Sequence, residues 1–220
     1  MEVEIRTPLG EDLRGIVEVY NHYVTHSPAT FEVTPVSVEE RSGWFAEHTV
    51  GGPHRLLVAS TPGGTIQGWA STSTFRPRAA YGTTVESSVY CRPEALGKGL
   101  GSRLYASLFD SIRGERVERI VAGVTLPNEA SVALHERFGF RQVGVFTRVG
   151  WKLGRFWDVA WFERPLTVPL RPTETEGPGT PTRAREAATD GRAGRPGDGT
   201  SGPARGSPSG SSPRATPART

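Results

Sequence analysis

Leu96-Gly97-Lys98-Gly99-Leu100-Gly101-Ser102 lies between a β-rich stretch, 81–91, and a stretch in which Leu100, Leu104, Leu108 and Ile112 recur one helical turn apart. Glycine has no Cβ, so main-chain N–H groups can close around an anion there. The first turn of a helix carries N–H groups without partners and a partial charge of roughly +0.5. A glycine-rich turn that opens a helix is therefore built to cradle a diphosphate. Two familiar phosphate loops are excluded. Lys98 is not followed by Ser or Thr as a P-loop requires, and the glycines lack the spacing of the dinucleotide fingerprint. A plain strand–helix turn stays open at this point.

Outward from this loop the apolar residues switch between periods of two and 3.6. Residues 2–6 alternate as a strand, and Leu13, Ile16, Val17 and Tyr20 predict a helix. Ser37 with Glu40 forms a capping box that opens a helix over 37–48, ended by Gly51-Gly52-Pro53. Residues 55–60 predict a buried strand, Pro62-Gly63-Gly64 a turn, and 65–75 and 81–91 two further strands. Beyond the glycine loop and its helix, 117–125 is a strand. Asn128 caps a short helix with Ala130, Ala133, Leu134 and Phe138, and Gly139 stands where a left-handed cap is expected. Residues 141–149 and 156–164 are the last strands. The order is strand, two helices, three strands, helix, strand, helix, two strands: a mixed α/β fold.

Composition sets the domain organisation. Residues 1–166 are apolar enough for one folded domain, whereas no Val, Ile, Leu, Met, Phe, Tyr or Trp follows Leu170. The segment 167–220 holds nine Pro and nine Gly and is expected to be a disordered tail, because it cannot bury enough surface to offset chain entropy. That tail carries eight Arg against five acidic residues, so it accounts for the whole formal charge of +3 and leaves the domain neutral. It offers no aromatic ring to stack on bases, so nucleic acid is not an expected partner. Cys91 is the single cysteine, the N-terminal residues have no apolar signal region, and no apolar run approaches a membrane span. A cytoplasmic location, no membrane and no metal are the expectations.

With the glycine loop and the Asn128 segment both in view, the chain resembles the GNAT acyltransferase superfamily. Its motif Gln/Arg-x-x-Gly-x-Gly/Ala is matched by Leu96 through Gly101 except at Leu96, and Asn128-Glu129-Ala130-Ser131 running to Gly139-Phe140 is similar to its second motif. The branch it resembles most is that of phosphinothricin N-acetyltransferase and relatives acting on methionine sulfone or sulfoximine. Asn21-His22-Tyr23, Glu86 through Tyr90, Leu134-His135-Glu136, Gly150-Trp151-Lys152 and Trp157-Asp158-Val159 carry that likeness.

The resemblance implies a mostly antiparallel sheet flanked by helices, with a splayed pair of parallel strands, 81–91 and 117–124, that binds acetyl-CoA. It implies that the backbone of Val89, Tyr90 and Cys91 meets the pantetheine arm and polarises the thioester carbonyl. Gly97, Lys98, Gly99, Leu100, Gly101 and Ser102 would hold the diphosphate, and Asn128 would contact the cofactor near its thiol. Two proton movements are needed, one from the ammonium and one to the departing thiolate. Glu86 is the candidate base and His135 the second catalytic candidate. Alone, Glu86 reads equally well as a surface ion-pair residue, and His135 as a packing histidine. Arg76, Arg78, Tyr81 and Lys152 are the candidate contacts for the carboxylate and phosphinate of an amino-acid analogue. The branch also implies a homodimer. Acetylation of another amine, such as a polyamine, an aminoglycoside or a protein N-terminus, stays open, as does a non-catalytic CoA-binding module.

Overall fold

A computed structural model describes residues 2–48 and 50–166 of the chain; the segment 167–220, expected to be a disordered tail, lies outside the described residues. The elements are β1 (Glu4–Arg6), α1 (Leu13–His26), α2 (Val38–Ala46), β2 (Leu56–Ser60), β3 (Ile66–Thr74), β4 (Thr84–Cys91), α3 (Leu100–Ser111), β5 (Arg119–Leu126), α4 (Glu129–Arg137), β6 (Arg141–Lys152) and β7 (Arg155–Pro165). Their order is the one the periodicity predicts. The caps form as the residue types require. Ser37 Oγ accepts from Glu40 N at 3.1 Å, and Glu40 Oε2 accepts from Ser37 N at 2.7 Å. Such a cap stabilises a helix by about 1 kcal/mol.

Among the described residues, one sheet contains seven strands in the order β1-β2-β3-β4-β5-β7-β6. Only β4 and β5 pair in parallel; the other neighbours are antiparallel. Helices cover both faces. On one, Leu100, Leu104, Leu108 and Ile112 of α3 pack with Val85, Ile120, Ala122, Val124 and Phe162. On the other, Ile16, Val19, Tyr20 and Val24 of α1 pack on Leu56, Val58, Ile66 and Trp69, with Trp44 and Phe45 of α2 alongside. β2 is buried along its whole length because its alternate residues feed the two cores. Each large side chain so buried contributes about 1.5–3 kcal/mol. Trp69, at 1% exposure, donates its indole N–H to the Ile16 carbonyl and locks α1 to the sheet.

Several boundaries shift by one or two residues, and two shift by three. The strand foreseen at 81–91 starts only at Thr84, because Ala79–Tyr81 closes a single 3-10 turn. Tyr81 N donates to Arg78 O and Gly82 N to Ala79 O, both at 2.9 Å, so local bonds replace the ladder there. β6 runs on to Lys152, since Gly150–Lys152 pair with Arg155–Trp157 after an irregularity between Phe146 and Gly150.

Candidate active site

The parallel β4–β5 seam, in the middle of the sheet, opens part-way along. Thr84, Val85 and Glu86 pair with Arg119, Ile120 and Val121, and the pairing stops there, although both strands continue for five more residues. β4 keeps its partner β3 as far as Cys91, and β5 keeps β7 as far as Asp158, so the two strands are held apart by their outer neighbours. Backbone parity then decides what faces the gap. Arg92 N donates to Gln67 O, whereas the Thr83 carbonyl accepts from Glu118 and Arg119 of the β5 side. Even-numbered residues of β4 thus bond β3, and the backbone groups of Ser87, Val89 and Cys91 point into the fork. The Cys91 carbonyl is taken by the Tyr23 hydroxyl at 2.5 Å; its N–H still faces the opening.

A cleft of about 420 Å³ runs from this fork to the start of α3. Gly97 (φ 71°) and Gly99 (φ 75°) are both left-handed, and a Cβ built on either meets nothing within 4 Å. No side chain caps α3, so its first-turn N–H groups are left for a ligand. Arg137 reaches across from α4 to Ser102 Oγ at 3.3 Å, which brings a guanidinium to the same end of the cleft. An open, glycine-lined anion cradle at one end and free strand amides at the other fit a nucleotide thioester. Of the cofactor residues expected from sequence, Val89–Cys91, Gly97, Leu100–Ser102, Gly99 and Asn128 line this cleft. Lys98 does not; it lines a separate small cavity with Val3 and Arg103. Asn128 Oδ1 caps α4 by accepting from Ser131 N at 3.1 Å.

His135 also borders the cleft, but both of its ring nitrogens are engaged. Nδ1 lies 2.7 Å from the Ser131 carbonyl oxygen, which can only accept, so Nδ1 carries the proton. Nε2 is then an acceptor, and the Tyr105 hydroxyl, 3.1 Å away, donates to it. Ser87 Oγ lies 3.4 Å from the Tyr105 hydroxyl and the same distance from the Val121 carbonyl, at the point where the fork opens. Burial pushes the His135 pKa below its ordinary value, with the Ser131 bond opposing. Burial likewise pushes Tyr105 up, against the Ser87 bond.

Glu86 sits at the last paired position of β4, on the opposite face of the sheet from Ser87 and Tyr105. It is half-buried, and desolvation raises its pKa, with the Arg76 charge pulling the other way. On that face Gly123 of β5 is exposed between Val159 and Trp161, whose side chains a Cβ there would touch at 3.5 and 3.7 Å. An aromatic wall borders it, with Trp161 against Phe75 (centroids 6.2 Å apart) and Phe75 against Tyr81 (5.7 Å). The Arg76 guanidinium lies over Phe75 at 4.6 Å, and Arg78 is exposed at the start of the turn. Lys152 stands apart from these groups in its bonding. At 4% exposure, it donates to the Thr30 carbonyl at 2.7 Å and the Tyr23 carbonyl at 3.1 Å, and burial lowers its pKa. Its ammonium ties the hairpin to the chain after α1.

Sequence reasoning did not single out Ser87, Tyr105, Gly123 or Arg137. Tyr105 is hidden in the apolar stripe of α3, where it reads as core. Its hydroxyl is the one signal that could have marked it, since a buried phenol needs a partner. Among the described residues, no three His, Cys, Asp or Glu side chains are grouped to hold a metal ion, and no helix is long and apolar enough to cross a membrane.

Comparison with known proteins agrees with this geometry. Residues 16–140 match the profile described as the acetyltransferase (GNAT) family. The chain is 50% identical over 166 residues to the phosphinothricin N-acetyltransferase of Streptomyces coelicolor, covering 75% of this chain and 97% of that protein. It is 37% identical over 166 residues to the L-methionine sulfoximine/L-methionine sulfone acetyltransferase of Pseudomonas paraeruginosa, covering 76% and 96%. A phosphinothricin acetyltransferase from Sinorhizobium meliloti, solved in complex with acetyl-CoA, superposes with a TM-score of 0.71 at 35% identity, over 75% of this chain and 89% of that one.

Proposed function

The chain belongs to the GNAT acetyltransferase family, and on that premise we propose that it transfers an acetyl group from acetyl-CoA to the amino group of a small amino-acid analogue of the phosphinothricin, methionine sulfone or methionine sulfoximine type. The observation that carries this reading is the fork. It opens at Glu86, with a nucleotide-sized cleft on one side and a carboxylate of raised pKa on the other.

Acetyl-CoA supplies the activated acetyl group; the chain's own residues do the rest. Leu100–Ser102 offer their amides to the diphosphate. Val89 and Cys91 direct N–H groups into the fork, where an acyl oxygen gains charge during attack. Glu86 accepts the ammonium proton, directly or through water, which its raised pKa favours. Arg76 and Arg78 receive the anionic end of the acceptor, against the Phe75–Tyr81 wall. Transfer is direct. Cys91 is buried and its thiol is pushed up to about 11, so it is no nucleophile at neutral pH.

The deciding measurement is release of free CoA thiol with phosphinothricin, methionine sulfone, methionine sulfoximine and a polyamine. The three carboxylate-bearing analogues are expected to exceed the polyamine in kcat/KM by at least about tenfold, since Arg76 and Arg78 stand on the acceptor side to receive a carboxylate that a polyamine lacks; one guanidinium contact is worth about that factor. A polyamine as the best acceptor would overturn the assignment.

The proposal includes a homodimer in the cytoplasm. β6 is the edge of the sheet, and Val145, Phe146, Val149, Trp151 and Phe156 of the terminal hairpin are exposed at 39–59%. An apolar edge of this kind invites pairing with a second copy. Sedimentation should give twice the chain mass, and Phe146→Glu with Trp151→Glu should shift it to one chain. A monomeric wild type would remove the dimer from the proposal.

A further inference from the structure

We propose that Tyr105 is the catalytic residue that exchanges protons with the reacting atoms, and that His135 acts only through it as a proton store. This rests on the acetyl-transfer reading above. The sequence expectation makes His135 a catalytic candidate without settling whether it donates a proton or only orients, and it does not name Tyr105. The geometry leaves the imidazole no free nitrogen: Nδ1–H is held by the Ser131 carbonyl and Nε2 by the Tyr105 hydroxyl. The ring is also fixed from the sides, stacked on Phe162 (centroids 5.7 Å) and edge-on to Phe140 (5.1 Å). Tyr105 and His135 both line the cleft, and the Tyr105 oxygen sits between Nε2 and Ser87 Oγ, where the fork opens.

Hydrogen-bond direction makes the three groups a one-way wire at rest. Tyr105 O–H points to Nε2 and Nδ1–H to the Ser131 carbonyl, while the single Ser87 hydroxyl proton is shared between the Val121 carbonyl and the Tyr105 oxygen, 3.4 Å from each. The acceptor nitrogen must shed a proton as its bond to the acyl carbon forms. That proton arrives on the Tyr105 oxygen while the Tyr105 hydroxyl proton moves to Nε2, and His135 becomes an imidazolium held at both nitrogens. As the carbon–sulfur bond breaks, the hydroxyl proton of Tyr105 passes to the sulfur and the Nε2 proton returns to the Tyr105 oxygen. Nitrogen has lost one proton, sulfur has gained one, and both side chains are back where they began. One hydroxyl serves both atoms because nitrogen and sulfur are bonded to the same carbon during the transfer.

The surroundings suit a transient store. Aromatic rings and both the carbonyl and the hydroxyl of Ser131 surround the imidazole, with no charged side chain among them, and burial lowers its pKa, so it rests neutral. The charged group acting on Tyr105 is Glu86, across the sheet, and Tyr90 is its other titratable neighbour. A resting imidazolium is disfavoured, and a brief one is stabilised by two hydrogen bonds.

Tyr105→Phe removes the hydroxyl and keeps the ring that packs on Phe109 and Phe138. Three measurements test the relay. Nitrogen NMR of the ligand-free protein should show His135 with Nδ1 protonated and Nε2 hydrogen-bonded, and Tyr105→Phe should move the Nε2 resonance toward that of a free imine nitrogen. Turnover of Tyr105→Phe should fall by about 100-fold or more, with acetyl-CoA affinity by calorimetry within about threefold. His135→Gln should lose as much, and the double variant no more than either alone. An unshifted Nε2 resonance overturns the relay, as does full activity in Tyr105→Phe. If His135→Gln is impaired while Tyr105→Phe is not, the relay falls and the acetyl-transfer reading stands. If the wild type acetylates none of the analogues, that reading falls, and the NMR arm still decides the hydrogen bond.

Discussion

Glu86→Gln is expected to lower kcat/KM for the amine by about 10²–10⁴-fold while leaving acetyl-CoA affinity unchanged. The carboxylate stands at the last paired position of β4, on the face away from the cleft that receives the nucleotide, so its loss removes the base without touching the cradle. The pH profile carries the sign. The base works only when deprotonated, and desolvation raises its pKa, so the acidic limb of wild-type kcat/KM should lie above the ordinary glutamate range. Arg76 pulls that pKa down, so Arg76→Ala should move the limb further toward neutrality. In Glu86→Gln the limb should vanish. The variant should fold at least as well as wild type at neutral pH. A carboxyl with a raised folded-state pKa binds its proton more tightly when folded, so it loses stability as pH rises through that value. A wild-type limb that persists in Glu86→Gln would rule out the base role, whatever the drop in rate.

Why Glu86 is singled out in the sequence and Tyr105 is not is a matter of resemblance and of where each stands in its pattern. A carboxylate inside a strand of Val, Thr and Ser reads equally well as an ion-pair residue, and only the family resemblance marks it as the candidate base. Tyr105 obeys the helical stripe beside Leu104 and Leu108, and nothing local separates a packing tyrosine from a proton carrier. Only the fold brings it to His135, thirty residues on. The fork has the same character. Two strands can be read from alternation, but the point where their pairing stops depends on β3 and β7 pulling them apart. Element order needs only local periods and turn chemistry, which explains why the helices and the Ser37 and Asn128 caps form where the residues indicate. Lys152 shows the opposite limit. A lysine in a hairpin reads as charge open to a substrate, yet here the Tyr23 carbonyl of α1 and the Thr30 carbonyl beyond it take its ammonium.

Gly99→Asp is expected to weaken acetyl-CoA binding by at least about 100-fold, measured by calorimetry with the folded state checked by circular dichroism. Gly99 is the N-cap of α3, with φ 75° and ψ 6°, and no side chain occupies the space a Cβ would enter. Left-handed backbone costs an ordinary residue about 1–3 kcal/mol, but Asp and Asn tolerate it best, so the fold should survive. The charge is the larger effect. A carboxylate about 5 Å from a phosphate oxygen, at an effective dielectric of about 20, repels it by about 3 kcal/mol, which is about two orders of magnitude in affinity. The new carboxylate can also cap the free first-turn amides of α3 and so compete for the donors the diphosphate needs. Gly99→Asn separates these effects. It keeps the shape and the capping ability without the charge, and should fall between wild type and Gly99→Asp, with the Asp–Asn difference shrinking as salt is raised. If Gly99→Asp binds acetyl-CoA as tightly as wild type, the diphosphate does not lie on the amides of α3. The cleft, the fork and the roles given to Glu86 and Tyr105 would then lose their common anchor.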